Sequence, residues 1–505
     1  MGEMVGGSGE RRRRRRRRSS GRAGVADGWW SRLWGSLPSV HLSGAGLVVF
    51  VLALLVLVLP LMMGHRTPET LTNSGLVLVV GACLAVLFSG WKGSAEQGLP
   101  MPSRGWWIFF AILTVTVLLQ VLPVRALAFW FGPYPDALWQ HPEFEPGFWS
   151  PHPAWTIRAW AVFAALFAIA WMAGSLKLRQ RNWLYLAIVV MAVFQGLYGL
   201  TSHAAGATSI FGIWERHNVD FVHGSFSNRN LYAGYLALTW PLVVAIWWIR
   251  DVPLLARLPM ELRIAGSVIC GAIIGAALMG SASRLGSMAG VVGMITALLL
   301  WTRYSGHLRG MAVWPVWLAA FAAFLFATWY GLAPLTDRLS ISTMEEIRFE
   351  VYGLMFSEVP AKWWLTGVGL GGFEAVFRQI QPGHIGGWWD YAHNDLLQWL
   401  LEMGLVGLVL LAMVIGAIIR HAAMRRERIP LYAGLAALCI VALGDFSWHI
   451  PGTQVVLAIY IGILVRPTQP RSGGNGSRKR KSQHQRLQKS YYNDALNRDK
   501  VNDKS

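Results

Sequence analysis

Long apolar runs separated by short polar segments set the pattern of this chain. Many runs reach roughly 20 residues, the length that a helix needs to cross the hydrocarbon core of a bilayer. They predict about twelve membrane-spanning helices and an all-α, polytopic fold. The first run is too long for a signal-peptide core and has no small-residue cleavage pattern after it, so we expect it to stay as a helix. The predicted spans are 43–63, 70–89, 105–123, 156–174, 182–200, 229–249, 264–282, 285–302, 312–331, 395–419, 430–448 and 453–466.

The basic residues between these runs predict the orientation of the chain. Arg and Lys recur in alternate loops, as at 177–181 and 420–428, and both ends carry basic runs, at 11–18 and 478–481. Because cytoplasmic loops are enriched in Lys and Arg, both termini are expected in the cytoplasm. The basic ends indicate contact with anionic lipids rather than with nucleic acid.

This topology divides the chain into five parts. We expect two polar cytoplasmic tails, two groups of membrane helices, and a large periplasmic loop before the tenth helix. The parts are a disordered Arg-rich tail at 1–42, helices one to nine at 43–331, the loop at 332–394, helices ten to twelve at 395–466, and a disordered basic tail at 467–505.

The large loop carries its own helical pattern. Between Ser342 and Pro360, apolar side chains recur at helical spacing, which predicts an amphipathic helix near the outer interface. The apolar positions are Ile347, Val351, Leu354 and Met355.

Composition agrees with a membrane protein. The chain has 505 residues, of which 54% are hydrophobic and 14% charged, whereas a soluble domain carries about 25% charged residues. The three cysteines, Cys83, Cys270 and Cys439, fall inside apolar spans, so we expect neither a disulfide framework nor a metal site. No nucleotide-binding or zinc-protease motif occurs, and we expect no cofactor.

The clearest concentration of polar residues lies between Trp364 and Gly407. A glycine-rich stretch, 367–372, is followed by the sequence Tyr391-Ala-His-Asn-Asp395 at the start of an apolar helix. Glycine allows a tight turn or the close approach of a ligand. His393 is the candidate general base, with Asp390 or Asp395 holding its tautomer; a structural histidine is the alternative.

Three arginines reach the same predicted face as His393. In the predicted topology, the external side of the membrane carries Arg284, Arg348 and Arg229. Arginine suits phosphate and pyrophosphate because its fork of donors stays charged in a site of low dielectric. The alternatives are an interfacial arginine at 284, a partner for Glu345 or Glu346 at 348, and a helix-start residue at 229 with Asn228 as its cap.

Two further carboxylates, Glu402 and Asp445, lie within or near predicted spans. Ionisable groups at membrane depth are costly, so either could relay protons as in transporters, or could be paired inside the helical bundle. The aromatic surplus, with 27 Trp, is expected mostly at the interfaces, with stacking on sugar rings as the alternative.

At these residues the chain resembles the O-antigen ligase and O-antigen polymerase superfamily of bacterial membrane glycosyltransferases. The resemblance covers about residues 40–466. It is carried by Gly224-Ser-Phe-Ser-Asn-Arg-Asn-Leu-Tyr-Ala233, Ser283-Arg284, Arg348 before Thr366-Gly-Val-Gly-Leu-Gly-Gly-Phe373, Ala392-His-Asn-Asp-Leu-Leu-Gln398, and Glu402-Met-Gly404. The segments 150–156 and 444–451 are similar to the branch associated with exopolysaccharide polymerisation.

The resemblance implies a chemistry and a location. It implies metal-independent transfer of a glycan from undecaprenyl pyrophosphate to an acceptor hydroxyl at the periplasmic face of the inner membrane. His393 would deprotonate the acceptor, and Arg284 and Arg348 would neutralise the leaving pyrophosphate. Support would come from Arg229, which departs from the family's usual residue, and from Asn230, Asp390, Asn394, Asp395 and Glu402.

Several functions remain open at this point. The acceptor could be lipid A core for a ligase, a lipid-linked repeat unit for a polymerase, or Ser and Thr for a protein O-glycosylating enzyme. A second class is a transporter of an anion such as bicarbonate, which should carry charged residues near the bilayer midplane and related halves. A third is a structural partner of an export complex, which would not need His393.

Overall fold

The computed structural model describes residues 43–64, 68–90, 99–123, 148–216, 219–249, 252, 254–304, 343–422 and 424–466. These residues are mostly helical, as predicted. The first helices are α1 Gly44–Val58, α2 Pro68–Ser89, α3 Arg104–Gln120, α4 Pro153–Ser175, α5 Leu178–Ala204, α6 Arg229–Ala245, α7 Met260–Gly280 and α8 Arg284–Tyr304. The later helices are α9 Thr343–Glu358, α10 Ala361–Thr366, α11 Phe373–Ile380, α12 Asp395–Arg420, α13 Ile429–Val441 and α14 Pro451–Leu464.

Short elements connect the helices. Turns of 3₁₀ helix occupy Leu59–Gly64, Ile246–Trp248, Leu255–Arg257 and Ser447–His449. Strands β1 Ser209–Ile210 and β2 Trp214–Glu215 form an antiparallel pair. This pair is a small exception to the all-α prediction.

The membrane-spanning character is confirmed in part. Within the described residues, seven helices are long and apolar enough to cross a membrane: Gly44–Met63, Pro153–Ser175, Leu178–Ala204, Arg229–Trp248, Met260–Gly280, Arg284–Tyr304 and Asp395–Arg420. Shorter apolar helices, Asn73–Ser89, Arg104–Gln120, Ile429–Val441 and Pro451–Leu464, coincide with four more predicted spans. The predicted span 312–331 and both predicted tails lie outside the described residues, and the total of twelve stays a prediction.

Helix α6 forms the centre of the bundle. Along the span Arg229–Trp248, 89% of the most apolar stretch of 18 residues is buried, because α5, α7, α8 and α13 pack around the helix. Small residues allow this close packing: Gly286 of α8 faces Ala233, and Gly434 of α13 faces the backbone of Leu238. The predicted cap is confirmed, since Asn228 Oδ1 accepts a hydrogen bond from Asn230 N at 2.7 Å.

A smaller layer covers the start of α12. It contains α9, a helix where the sequence predicted one, with Val351 and Met355 fully buried and Ile347 and Leu354 packed beside them. Trp149 joins this layer by donating from Nε1 to the carbonyl of Gly367 at 3.0 Å. The layer therefore fixes the glycine-rich stretch above α12.

The predicted span 430–448 is wrong at its end. Helix α13 stops at Val441, and the chain then forms turns and a 3₁₀ helix before Pro451 begins α14. The backbone carbonyls that follow α13 accept hydrogen bonds from another part of the chain. Ala442 O accepts from Asp395 N at 2.9 Å, and Leu443 O accepts from Asn394 Nδ2 at 3.1 Å. These bonds replace those of a continuing helix, and Asp445 lies outside it.

Candidate active site

Two segments that are distant in sequence meet at the start of α12. We call residues 389–395 the His393 segment and residues 442–449 the His449 segment. Besides the two bonds to the end of α13, Tyr391 of the first segment stacks on Phe446 of the second, with ring centroids 4.6 Å apart. These contacts fix the two segments relative to each other.

His393 lies against Asp445 at this crossing. Nδ1 of His393 is 3.6 Å from Oδ1 of Asp445, with side chains 18% and 4% exposed. The backbone of His393 is left-handed, with φ of 53°, and Tyr352 donates to its carbonyl at 2.7 Å. The edges of Trp389 and Phe446 border the imidazole, at centroid distances of 5.3 and 4.7 Å. A left-handed histidine is uncommon, and such residues concentrate at functional sites.

Asp445 provides the negative charge beside this histidine. Burial alone would raise the pKa of Asp445, but the contact with His393, the charge of that histidine and the charge of Arg348 together hold the pKa below its ordinary value. The backbone N–H of Phe446 also donates to Asp445 Oδ1 at 2.9 Å. Asp445 is therefore ionised at neutral pH and can stabilise a protonated imidazole.

Asp395 does not have the role that we expected from the sequence. It holds a different histidine: Oδ1 lies 2.7 Å from Nδ1 of His449, and Oδ2 accepts from Trp448 N at 3.0 Å. Burial lowers the pKa of His449, but the bond to Asp395 and the charges of Asp395 and Glu402 outweigh burial and raise it. The carboxylate that contacts His393 is Asp445, which the sequence had placed within or near a membrane span.

Two of the predicted arginines border the His449 segment. Arg348 Nη1 donates to the carbonyl of Gly444 at 2.9 Å. Arg284 is the first residue of α8, and its neighbour Leu285 packs on Gly444, where an added Cβ would lie 3.0 Å from Leu285 Cδ2. Arg348 is thus bound to the turn that carries Asp445, and the first turn of α8, which begins at Arg284, packs on the same turn. The side chains of Glu345 and Glu346, the alternative partners of Arg348, lie outside the described part of the chain.

Arg229 and Asn230 stand at the start of α6. The guanidinium of Arg229 lies over the ring of Phe221, 4.0 Å from its centroid, and Asn230 makes the cap contact with Asn228. Ala233, one helical turn after Arg229, faces Gly286 near the start of α8. The structure therefore brings the starts of α6 and α8 together, with Arg229 stacked on an aromatic ring.

Glu402 anchors the glycine-rich stretch. Its carboxylate accepts from Gly371 N at 2.9 Å, Phe373 N at 3.4 Å and Gln398 Nε2 at 2.9 Å. Gly404 interrupts α12 with φ of 59° and ψ of −152°, and a Cβ there would meet the backbone of Leu365. Glutamate and glycine at this spacing therefore hold the chain at 365–373 against α12, which matches the expected pairing inside the bundle.

The remaining predicted residues position the His393 segment. Asn394 caps α12, its Oδ1 accepting from Leu397 N at 3.0 Å. Gln398 accepts from Ala392 N at 3.0 Å and so links this segment to Glu402. Asp390 lines a cavity beside the site. Among the described residues, no group of three His, Cys, Asp or Glu side chains is placed to hold a metal ion.

Sequence reasoning gave too little weight to Asp445 and His449. A signal was present: the polar sequence Gly444-Asp-Phe-Ser-Trp-His449 interrupts an otherwise apolar stretch. That signal could predict a break in the helix, but it could not predict which histidine each carboxylate binds.

Fold and site together describe a helical protein with several candidate membrane spans, and with a histidine–aspartate pair and Arg348 beside the start of α12. Residues 268–412 match the family model Wzy_C, described as O-antigen ligase. This match confirms the resemblance to the O-antigen ligase superfamily over that segment, which is less than half of the chain, and favours a ligase- or polymerase-type membrane function. The matched segment contains Arg284, Arg348, His393 and Glu402, and it ends before Asp445 and His449. A comparison with curated proteins gives no match.

Proposed function

We propose that this protein transfers a glycan from a polyprenyl pyrophosphate, of the undecaprenyl type, to an acceptor hydroxyl at the periplasmic face of the inner membrane. The observation that carries the proposal is the contact of His393 with Asp445, on the turn whose carbonyl at Gly444 is bound by Arg348. The family match supports the same class of reaction. The carrier alternative gains no support from that match.

His393 would act as the general base. Asp445 lies on the Nδ1 side of the imidazole, 3.6 Å away, so Nε2 would take the proton of the acceptor hydroxyl. The acceptor oxygen then forms a bond to the anomeric carbon of the donor sugar, and the bond from that carbon to the pyrophosphate oxygen breaks. The ionised Asp445 stabilises the imidazolium while the reaction proceeds. Attack opposite to the leaving group would invert the anomeric centre.

Arg348 and Arg284 would stabilise the leaving group. The pyrophosphate gains negative charge as the glycosidic bond breaks, and positioned cations are most effective where water is scarce. Arg348 binds the turn at Gly444 and Arg284 begins the helix that packs on this turn, so both would approach the reaction centre from the Asp445 side of the His449 segment. We assign no metal to this step, because two guanidinium groups can carry the charge.

The acceptor defines which enzyme this is. Lipid A core would make the protein a ligase, a lipid-linked repeat unit a polymerase, and Ser or Thr a protein O-glycosylating enzyme. The donor chemistry is common to all three, so His393 and the arginines serve each of them equally.

The test is glycan transfer by purified full-length protein from a polyprenyl-pyrophosphate donor, in the presence of a metal chelator. We expect the wild type to transfer glycan and both His393→Ala and Arg284→Ala to lose transfer, the first by about 100- to 10,000-fold. The products should be compared across the three acceptor classes.

The chain offers matched controls. His384, whose side chain is 66% exposed and pairs with Glu350, tests the loss of a nearby histidine. Arg303 lies at the other end of α8 from Arg284. His384→Ala and Arg303→Ala should transfer at wild-type rates. The proposal fails if the wild type transfers glycan to none of the acceptors while vesicles containing it take up anions.

A further inference from the structure

A cavity of about 660 Å³ lies beside the site and is lined in part by Asp390, Tyr391 and His449. The edge of Phe446 borders His393, the face of Phe446 stacks on Tyr391, and Tyr391 lines the cavity. The volume is within the range of pockets that hold small ligands, about 300–1,000 Å³. The mechanism above uses no part of this cavity.

The charge of the cavity does not fit a pyrophosphate. Its ionisable lining includes Glu374, Asp390, Arg158 and His449. Glu374 already pairs with Arg378 at 3.2 Å. With Glu402, which also lines the cavity, three carboxylates face one arginine. They would repel a multiply charged anion, whereas carboxylates accept hydrogen bonds from sugar hydroxyls.

The aromatic lining fits a sugar ring. Trp388 is 65% exposed and lines the cavity with Trp155 and Tyr391. The guanidinium of Arg378 covers one face of Trp388, 3.1 Å from the ring centroid, and so holds the ring in place. Exposed aromatic faces beside carboxylates are the surface on which the C–H face of a pyranose packs while its hydroxyls are hydrogen-bonded.

His449 supplies a polar group of fixed direction at the cavity. Asp395, which is fully buried, binds Nδ1 of His449 at 2.7 Å, and the backbone of Trp448 holds the same carboxylate. This second pair prevents rotation of the imidazole. Its Nε2 can then form a directed hydrogen bond with a ligand in the cavity.

We propose that this cavity is a glycan subsite, which holds an uncharged sugar ring of the acceptor against Trp388, Asp390 and His449. The proposal rests on the proposed function. Arg348 binds the carbonyl of Gly444 near the start of the His449 segment, and the cavity borders His449 at its end. A displacement reaction brings nucleophile and leaving group from opposite sides. The acceptor, rather than the donor pyrophosphate, therefore suits the cavity.

The test measures sugar binding without catalysis. Full-length His393→Ala protein, in lipid nanodiscs free of sugar-based detergent, is titrated with methyl glycosides of glucose, galactose, mannose, rhamnose and N-acetylglucosamine, followed by saturation-transfer NMR. We expect at least one glycoside to bind, and Trp388→Ala or Asp390→Asn in the same background to weaken it by about tenfold or more. Trp388→Phe should retain binding.

Matched variants separate a local effect from a general one. Phe356 is 61% exposed on α9 and Glu358 is exposed on the same helix, so Phe356→Ala and Glu358→Gln should leave binding unchanged. The thermal midpoint of Trp388→Ala should stay at the wild-type value, because this ring is largely exposed.

Three outcomes would overturn the subsite. Either no glycoside binds, or neither cavity variant changes binding, or inorganic pyrophosphate displaces the glycoside by binding in the cavity itself. None of these outcomes depends on transfer. A protein that transfers glycan with an unchanged acceptor KM in Trp388→Ala and Asp390→Asn would keep the proposed function and lose the subsite. A protein that binds glycosides and transfers nothing would keep the subsite as a binding site and lose the proposed function.

Discussion

Two histidine–aspartate pairs lie side by side in this protein, and they differ in how tightly they are held. His449 and Asp395 are 2.7 Å apart, with the carboxylate fully buried and also bound by Trp448 N. His393 and Asp445 are 3.6 Å apart. The looser pair has an arginine on its turn and a left-handed histidine backbone.

The pairing is reciprocal between the two segments. Each segment contributes one histidine and one aspartate, and each histidine binds the aspartate of the other segment. The residue types alone would therefore describe both pairs equally well. The difference lies in their surroundings, which make one pair an anchor with a fixed hydrogen bond and leave the other suited to proton transfer.

Of the changes that test this comparison, removal of the Asp445 charge should have the largest effect, and that effect should be on the rate of transfer. Asp445→Asn should lower kcat by about 100- to 10,000-fold, because a neutral amide cannot stabilise the imidazolium of His393. Initial rates at saturating donor measure it, with Glu358→Gln as a carboxylate control. A kcat equal to that of the wild type would remove Asp445 from the mechanism.

The tighter pair should respond in stability instead. Asp395→Ala leaves the imidazole of His449 and the N–H of Trp448 without their acceptor, which should lower the free energy of unfolding by about 3–5 kcal/mol. Thermal unfolding in nanodiscs measures the loss, and Asp395→Asn, which can keep one acceptor, should lose less. If Asp395→Ala unfolds at the wild-type temperature, the distinction between anchor and reactive pair is wrong.

Glu402 gives a third, intermediate case: a buried carboxylate bound by backbone N–H groups. Glu402→Ala leaves the N–H groups of Gly371 and Phe373 without this acceptor, at a cost of about 1–3 kcal/mol. Glu402→Gln keeps one oxygen and should cost less. Both are measured by thermal unfolding, and equal midpoints for wild type and Glu402→Ala would show that the glycine-rich stretch is held by other contacts.

The smallest effect is on pH dependence. Because the pKa of His449 is raised in the folded protein, the stabilisation that its imidazolium provides is complete below the pKa of histidine in the unfolded chain, about 6.5. This stabilisation is lost as the pH rises through the higher pKa of the folded state. The difference in unfolding midpoint between wild type and His449→Gln should therefore shrink above pH 6.5. The lowered pKa of Asp445 has the opposite sign: its contribution is present above about 3.9 and is lost only in stronger acid. A His449→Gln difference that grows with pH would contradict this assignment.

Much of the fold could be predicted from the apolar pattern. The length and spacing of the runs located the helices in the described residues, including α9, whose apolar side chains recur at helical spacing. Residue chemistry also selected His393 and Arg348, which both contact the turn at 444–445, and Arg284, whose role stays a prediction. These are local properties, and a single sequence contains them.

The partners of the carboxylates could not be predicted in the same way. Asp395 is two residues from His393 in sequence, yet it binds a histidine 54 residues away. Which histidine each aspartate binds depends on where α13 ends relative to α12. That end is set by hydrogen bonds from the His393 segment to the carbonyls of Ala442 and Leu443, which are tertiary contacts with no periodic signature in the sequence.

The break at Gly404 divides α12 into two mechanical parts. The part before it is tied to the glycine-rich stretch through Glu402, while the part after it continues as an apolar helix to Arg420. Because the helix is interrupted there, we expect a change in bilayer thickness that tilts the second part to be absorbed at Gly404. The orientation of His393 should then depend little on the lipid composition around the protein.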